Sequence, residues 1–562
     1  MQSPVSTAAT AATAQQTALM SPAPYSRTFI ELVREQAARA PQAMALVCAQ
    51  GRFSYADLAA RAARAAGALR AAGLRPGDRI GLLLGNRVEW IDLFLGASAV
   101  GAVTVPLSTW STRSELEFLV QDAGLSLLAA QARFGDRDFE ADLQSLQGKP
   151  GMPAPDRVWL LDTADRRYEA LLEAATPVSQ SIASLPPGEA ASAGSDALVL
   201  YTSGSTSAPK AVPLRQYAVL ENAFNIGERQ GLTAADRVLL ASPLFWAFGG
   251  ANALPATFTH GATLVLMDKF DATLALQTIE RERCTALYTL PAMTSALLRH
   301  ADYRKHKLAS LRTGVMIGSP EEFLFAVDGL GAAELCNVYG ATETCGNCCV
   351  TWHHWPLQRR AHCQGPPLPG QQLRFVDPET DAPVAPGTPG LAEVRGHVTQ
   401  GYTGTSADQN AKAFSPDGWY RSGDMGLLNA DGDFVFVSRV SEMIKRAGIN
   451  VSPAEVEAVI RRHPDVLDAA VVGVPDAVRG ERIFAFVVAK PATETGAPFD
   501  TAALLRHCAA EASKYKLPDH VEFLSGMPLT VTGKLQRREL KLRAIERTAE
   551  LAAGDTPAPS RL

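Results

Sequence analysis

Leu198-Val199-Leu200-Tyr201-Thr202-Ser203-Gly204-Ser205-Thr206-Ser207-Ala208-Pro209-Lys210-Ala211-Val212 is the stretch from which the rest of the chain is read. An apolar strand runs into a loop of small and hydroxyl residues, then Pro-Lys, then a second apolar stretch. Small residues let backbone N–H groups converge on an anion. Thr202, Ser203, Ser205 and Thr206 add hydroxyl donors, and Lys210 adds a positive charge suited to a polyphosphate. A Walker loop, GxxxxGK[ST], is excluded by counting. From Gly204 its second glycine would fall on Pro209 and its Ser/Thr on Ala211, so only the lysine fits.

Strands and helices alternate on both sides of this loop. Upstream, Phe29, Leu32 and Val33 share a helical face. Ser54 is placed to cap a helix reaching Ala72, with Asp57 in its first turn. Ile80–Leu84 reads as a buried strand, Val88–Ala99 as a helix and Ala102–Leu107 as a strand. Downstream, strands are expected at 237–241, 263–267 and 286–289. Such repetition with short links predicts parallel sheets covered on both faces.

Pro/Gly-rich links fall near 146–156, 184–195 and 365–390. The last introduces strands at Gln372–Val376, Ala392–Arg395 and Phe434–Val437. From Arg439 a separate unit is expected. Ser452-Pro453-Ala454-Glu455 reads as a capping box, Ala469–Val474 and Ile483–Val488 as strands, and Thr501–Ala512 as a helix.

Composition limits the classes. The 562 residues are 47% hydrophobic and 20% charged, which is ordinary for a globular protein. A net charge of −5 does not suggest a nucleic-acid partner. Eight cysteines are too few and too irregular for a disulfide framework, and predict reduced thiols and a cytoplasmic location. Residues 1–24 carry no charge and lack the features of a signal or transit peptide, so a disordered leader is expected. Residues 238–267 also lack Asp, Glu, Lys and Arg. Pro243, Gly249, Gly250, Asn252, Pro255 and His260 interrupt them, so they predict a buried wall and no membrane span.

Other motifs follow in order: Tyr339-Gly340-Ala341-Thr342-Glu343, Ser422-Gly423-Asp424, Arg439, and Thr532-Gly533-Lys534. With the loop at 198–212 they resemble the signatures of the adenylate-forming superfamily, which holds acyl-CoA synthetases, firefly luciferases and non-ribosomal adenylation domains. The resemblance spans about residues 27–545. It implies an α/β fold: a large N-terminal domain (25–438) of doubly wound α/β subdomains plus a β-rich subdomain, then a small mobile C-terminal α+β domain (439–548) and a flexible tail (549–562).

The resemblance also assigns roles. Thr202, Ser203, Gly204 and Ser205 would hold the phosphates of ATP, with Gly340 and Thr342 beside them. Tyr339 would stack on adenine, with Gly318-Ser319-Pro320 along it. Asp424 would accept from the ribose hydroxyls, and Arg439 would touch the nucleotide. Glu343 would hold Mg²⁺, whose preference is for hard oxygen ligands. Lys534, with Thr206, Lys210 and Glu343, would be catalytic. Lys534 would bridge carboxylate and phosphate oxygens as charge redistributes at the α-phosphorus. The small domain would then swing about Ser441, where relatives usually carry Asp or Lys, and present Lys445, Gly448 and Asn450 to the pantetheine arm. Ser207 stands where many members have Gly.

The acyl pocket is expected at Phe245, Trp246, Gly249, Gly250 and Ala341. Trp246 replaces the His of many relatives and would narrow or gate the entrance. No Arg or Lys lies in this segment to pair with a second carboxylate, which disfavours malonate-type acids. Gly249 and Gly250, with Ala251 and Ala253, suggest room for an apolar medium-length chain or a ring. Cys345, Cys348, Cys349 and Cys363, near His353, His354 and His362, contain one C-x₂-C but no second, so free thiols are expected.

The expected activity is an acyl-CoA synthetase using ATP, Mg²⁺ and coenzyme A on a small-molecule carboxylic acid, as a monomer or homodimer. Two rivals stand beside it: a ligase loading a carrier-protein pantetheine, and a nucleotide-binding homologue without catalysis.

Overall fold

In the computed structural model, the described residues are 28–163, 167–175, 192–202, 209–404, 407–446, 449–476, 479–490, 501–512, 514–529 and 535–554. The expected leader, 1–24, lies outside them, as do Ser203–Ala208, Gly448 and Lys534.

Apolar runs of four to eight residues form the strands of two large sheets. One sheet has the order Gly346–Val350, Glu334–Ala341, Thr313–Met316, Ala286–Thr289, Arg237–Leu240, Thr263–Leu266, Met44–Cys48, Gly51–Ser54. Its inner strands are parallel, and an antiparallel pair closes each edge. The other has the order Lys210–Arg215, Asp196–Thr202, Val103–Pro106, Arg79–Leu83, Leu127–Gln131, Val158–Leu161. Only its first two strands are antiparallel.

Successive strand residues point to opposite faces, and this sorts the core into layers. Leu46, Leu264, Leu82 and Leu198 enter one shared core with the helices Phe29–Arg39, Tyr55–Ala71, Val88–Val100 and Gln216–Gln230. Their neighbours Val47 and Val265 face the helices Ala272–Glu282 and Pro320–Leu330. Leu83 and Val199 face Arg113–Ala123 and Phe139–Leu146. Helices therefore lie between the sheets and on both outer faces. Val88–Val100, buried at every position except Glu89, is the middle of the sandwich. Ser54 caps its helix as expected, and Asp57 completes a reciprocal capping box with it, a device worth about 1 kcal/mol.

The chain divides into two compact units, 1–373 with 394–420, and 374–393 with 421–562. The break expected at Arg439 falls inside the second unit. Tyr420–Leu428 and Phe434–Arg439 are an antiparallel pair with Asp424 opposite Arg439, so Arg439 ends a strand of that unit. Its main sheet pairs Val466–Asp476, Gly480–Ala489 and His520–Phe523, with Ile444–Arg446 and Ile449–Val451 at one end. The helices Pro453–Arg461 and Thr501–Glu511 cover one face, and Leu540 and Ala544 of the last helix cover the other.

Two local expectations are corrected. Pro453 does open a helix after Ser452, but Ser452 makes no side-chain cap; its hydroxyl donates to the Val437 carbonyl at 3.0 Å. A long-range acceptor has outcompeted the local one. The last helix, Arg537–Gly554, runs past residue 549, where a tail was expected. Good helix formers and an Arg547–Glu550 pair carry it on. Among the described residues no helix is long and apolar enough to cross a membrane.

Candidate active site

The predicted segments of the first unit gather at the carboxyl ends of parallel strands, where α/β sheets hold ligands. Gly318–Pro320 follows Thr313–Met316, and Thr342–Glu343 follows the neighbouring strand Glu334–Ala341. Phe245–Trp246 follows Arg237–Leu240 in the same sheet.

Thr202 and Lys210 are direct partners in an antiparallel pair, which sets the two ends of the motif side by side. Ser203, Gly204, Ser205 and Thr206, expected on the phosphates, lie outside the described residues. Just before the loop, the Tyr201 hydroxyl donates to Asp122 Oδ2 at 2.8 Å and anchors the strand end.

Glu343 is held from several sides. Gly340 must be glycine: a Cβ there would lie 1.9 Å from the Gly346 carbonyl oxygen. That close approach accompanies a register shift between Tyr339 and Gly340. Thr342–Thr344 then makes one tight turn, fastened by the Ala341 N–H donating to Thr344 Oγ1 at 3.1 Å. Cys345 follows with φ 57°, an uncommon conformation for a residue with a Cβ. Asn252 Nδ2 donates to its carbonyl at 2.8 Å, and Asn222 Nδ2 donates at 3.3 Å. The result is a carboxylate on a rigid turn, 7% exposed.

Tyr402 meets that carboxylate, its hydroxyl donating to Glu343 Oε1 at 2.9 Å. Burial pushes the tyrosine hydroxyl up, and the nearby Glu343 charge pushes it further. Lys210 Nζ lies over the same ring, 4.6 Å from its centre. Lys210 and Glu343, predicted from separate motifs, are thus brought to one aromatic ring.

Other predicted residues take structural positions. Ser319 caps the helix Pro320–Leu330 in a reciprocal box with Glu322, and Pro320 opens that helix. Tyr339 is 7% exposed. Phe245 and Trp246 form an edge-to-face trio with Trp110, at centroid distances of 5.4 and 4.9 Å from it. Trp246 is half-buried. Gly249 and Gly250 leave no open room at their Cα atoms: a Cβ would lie 2.3 and 2.4 Å from the carbonyl oxygens of Pro243 and Leu244. Here their smallness lets the π-helical turn Ala247–Ala253 pack on the segment before it.

In the second unit, Asp424 is buried and its Oδ1 lies 3.3 Å from Arg439 Nε. Ser422 Oγ accepts from the Asp424 N–H at 3.1 Å. Ser441 lies in a single turn, Val440–Glu442. Lys445 pairs with Glu379 at 2.8 Å and stands opposite Asn450 in a two-strand ladder.

The sequence missed Tyr402, Trp110 and Asn252. Each acts through a partner more than 50 residues away, so no local spacing marks it. For Trp110 an exposed-looking aromatic after a strand was the available signal.

Cys345, Cys348, Cys349 and Cys363 are buried. Burial pushes the Cys345 thiol up to about 12 and Cys349 well above its ordinary value. Such thiols stay protonated at neutral pH and are poor nucleophiles. His353 is engaged with Glu334 at 3.2 Å. Among the described residues no group of three or more His, Cys, Asp and Glu could hold a metal ion.

Comparison with known proteins adds to this geometry. Residues 33–403 match the family model described as AMP-binding enzyme, and residues 455–534 match the AMP-binding enzyme C-terminal domain. The chain is 30% identical to a putative acyl-CoA synthetase, YngI of Bacillus subtilis, over 88% of this chain and 92% of that protein. It is 31% identical to the mitochondrial medium-chain acyl-CoA ligase ACSF2 of Mus musculus, over 92% and 87%. Among solved structures, ATP-bound MatB from Rhodopseudomonas palustris superposes with a TM-score of 0.81 at 26% identity, over 92% of this chain and 99% of that one. The anthranilate CoA ligase AuaEII, in complex with anthranoyl-AMP, gives 0.81 at 25% identity, over 94% and 99%.

Proposed function

The chain belongs to the AMP-binding enzyme family and is an acid–thiol ligase, and from that premise we propose that it activates an apolar medium- or long-chain, or ring-bearing, carboxylic acid through an acyl-AMP intermediate. In the first half, a carboxylate oxygen attacks the α-phosphorus of ATP and the bond to pyrophosphate breaks. In the second, the thiol of CoA gives up its proton, its sulfur attacks the acyl carbon, and AMP leaves.

The observation that carries this reading is the grouping of Lys210 and Glu343 around Tyr402. Mg²⁺ fits the donor set: a buried carboxylate with one oxygen bonded to Tyr402 is a hard, sparse ligand, and Mg²⁺ completes its shell with water and phosphate oxygens. Glu343 would hold the ion, which would neutralise phosphate charge. Lys210 would add charge at the phosphates beside Thr202 and the loop residues Ser203–Thr206. Asp424 and Arg439 would serve the ribose side, Tyr339 and Gly318–Pro320 the adenine, and Lys534 the first chemical step. Lys445, Gly448 and Asn450 would serve the CoA side.

Trp246 and its aromatic partners support an apolar acid, as does the lack of Arg and Lys along 238–267. The relatives named as a medium-chain acyl-CoA ligase and an anthranilate CoA ligase agree with a chain or a ring. Free cysteines suit a reducing compartment, read here as the cytoplasm, although the mouse relative is named as mitochondrial.

The test is a pyrophosphate-release screen across carboxylic acids, with and without CoA. Turnover of an apolar acid to its CoA thioester supports the reading. Pyrophosphate release that needs a carrier protein redirects it to that acceptor, and nucleotide binding without turnover on any acid refutes it.

A further inference from the structure

We propose that Tyr402 is a positioning residue that holds Glu343 and Lys210 apart and ready for Mg²⁺ and ATP, a role that rests on the ligase reading above. One short segment, 399–403, touches both motifs at four points. The Thr399 N–H donates to the Glu343 carbonyl at 2.7 Å. The Tyr402 hydroxyl donates to Glu343 Oε1 at 2.9 Å. The ring of Tyr402 lies under Lys210 Nζ at 4.6 Å. The Thr403 N–H donates to the Ala211 carbonyl at 3.0 Å, next to Lys210 in the chain.

The segment is itself secured. The Tyr402 N–H donates to Asn410 Oδ1 at 2.9 Å, and Asn410 Nδ2 donates back to the Tyr402 carbonyl at 3.2 Å. Thr399 Oγ1 donates to the Gly401 carbonyl at 3.1 Å. Tyr402 is 8% exposed, so its ring has little freedom to turn away.

The physical need follows from the charges. A lysine and a glutamate that converge on one nucleotide attract each other when it is absent, most strongly where burial weakens solvent screening. A direct pair between them would have to break each time ATP and Mg²⁺ entered. The tyrosine gives each charge a separate partner. Its face seats the ammonium through the ring quadrupole. Its hydroxyl occupies one carboxylate oxygen and fixes the rotamer, while Glu343 Oε2 receives no hydrogen bond among the described residues. Both groups are then preorganised at no cost to ligand entry.

The two functions of the ring can be separated. Tyr402→Phe removes the hydroxyl and keeps the face, while Tyr402→Leu removes both. ATP binding is measured by calorimetry on the full chain, at a series of Mg²⁺ concentrations and with none. Tyr402→Phe is expected to raise the Mg²⁺ concentration needed for half-maximal ATP binding by about tenfold, the loss of one hydrogen bond to a charged group, with metal-free affinity unchanged. Tyr402→Leu is expected also to weaken metal-free binding, by roughly threefold or more. In a Glu343→Gln background, Tyr402→Phe should add no further change.

A Mg²⁺ dependence for Tyr402→Phe within about twofold of wild type overturns the role, as does equal weakening with and without the metal. If Tyr402→Phe does not fold, Asn410→Ala loosens the same tyrosine through its backbone. A smaller rise in Mg²⁺ requirement then supports the role, and none overturns it. Wild-type protein that binds no ATP at any Mg²⁺ concentration overturns the ligase reading instead, so the two failures are told apart.

Discussion

Asp424 and Arg439 face each other as directly opposed residues on adjacent antiparallel strands, and Arg439 Nε lies 3.3 Å from Asp424 Oδ1. The ladder register places the pair. Arg439 is 61% exposed and Asp424 7%, so the contact adds under about 1 kcal/mol to folding. Arg439→Ala should leave the melting temperature nearly unchanged. Asp424→Asn, which keeps the shape and removes the charge, should raise the KM for ATP by about tenfold if the carboxylate receives the ribose hydroxyls. An unaltered KM in steady-state assays would remove Asp424 from the nucleotide site.

If Lys534 serves the first step as proposed, Lys534→Ala should reduce acyl-AMP formation by roughly a hundredfold or more. Thioester formation from supplied acyl-AMP and CoA should stay within about threefold of wild type. Single-turnover assays of each half measure this directly. Equal loss in both halves would contradict the assignment of Lys534 to the first step.

The legible parts of the fold were those with local causes. Ser54 with Asp57, and the apolar runs at 197–201, 237–241 and 286–289, carry their structure in neighbouring residues, and the strands Asp196–Thr202, Arg237–Leu240 and Ala286–Thr289 form within one residue of each expected end. Lys210 was legible from its charge beside the run of small and hydroxyl residues, and Glu343 only through the resemblance carried by Tyr339–Glu343. Tyr402 was not, since its meaning comes from Glu343 and Lys210, both far away in the chain. Ser452 shows the converse. Its local pattern was a good cap, yet the Val437 carbonyl, brought close by tertiary folding, took the hydroxyl. Gly249 and Gly250 read as open space from composition, whereas the fold uses them for backbone contact with Pro243 and Leu244.

Trp246 and Trp110 meet edge-to-face at 4.9 Å, so neither ring moves without the other. If the pair bounds the acyl pocket, Trp246→Ala should shift the ratio of kcat/KM between a bulkier and a smaller acid by about tenfold in favour of the bulkier. Trp110→Ala should move it the same way, by releasing Trp246. A competition assay over paired substrates reads this ratio. If both variants lose stability with the ratio fixed, the trio is core packing and the pocket lies elsewhere.

Arg312 donates to both oxygens of buried Asp236, at 2.8 and 3.2 Å, to Glu334 at 2.6 Å and to the Gly231 carbonyl at 2.6 Å. Burial pushes the Asp236 carboxyl up, but hydrogen bonds from Arg312 and Thr285 outweigh it and hold the group below its ordinary value. A carboxyl depressed on folding contributes stability above its unfolded value, near 4, and loses it as pH falls through the folded value. Arg312→Met should therefore cost about 2 to 3 kcal/mol at pH 7, toward the low side for a broken buried pair because Arg312 is 34% exposed. Without its cation the buried carboxyl should protonate more readily. The gap between variant and wild type should then narrow at about pH 4.5, once Asp236 in the variant is neutral. Denaturant unfolding followed by circular dichroism at both pH values measures the gap. An equal loss at each would mean that Arg312 acts through packing alone.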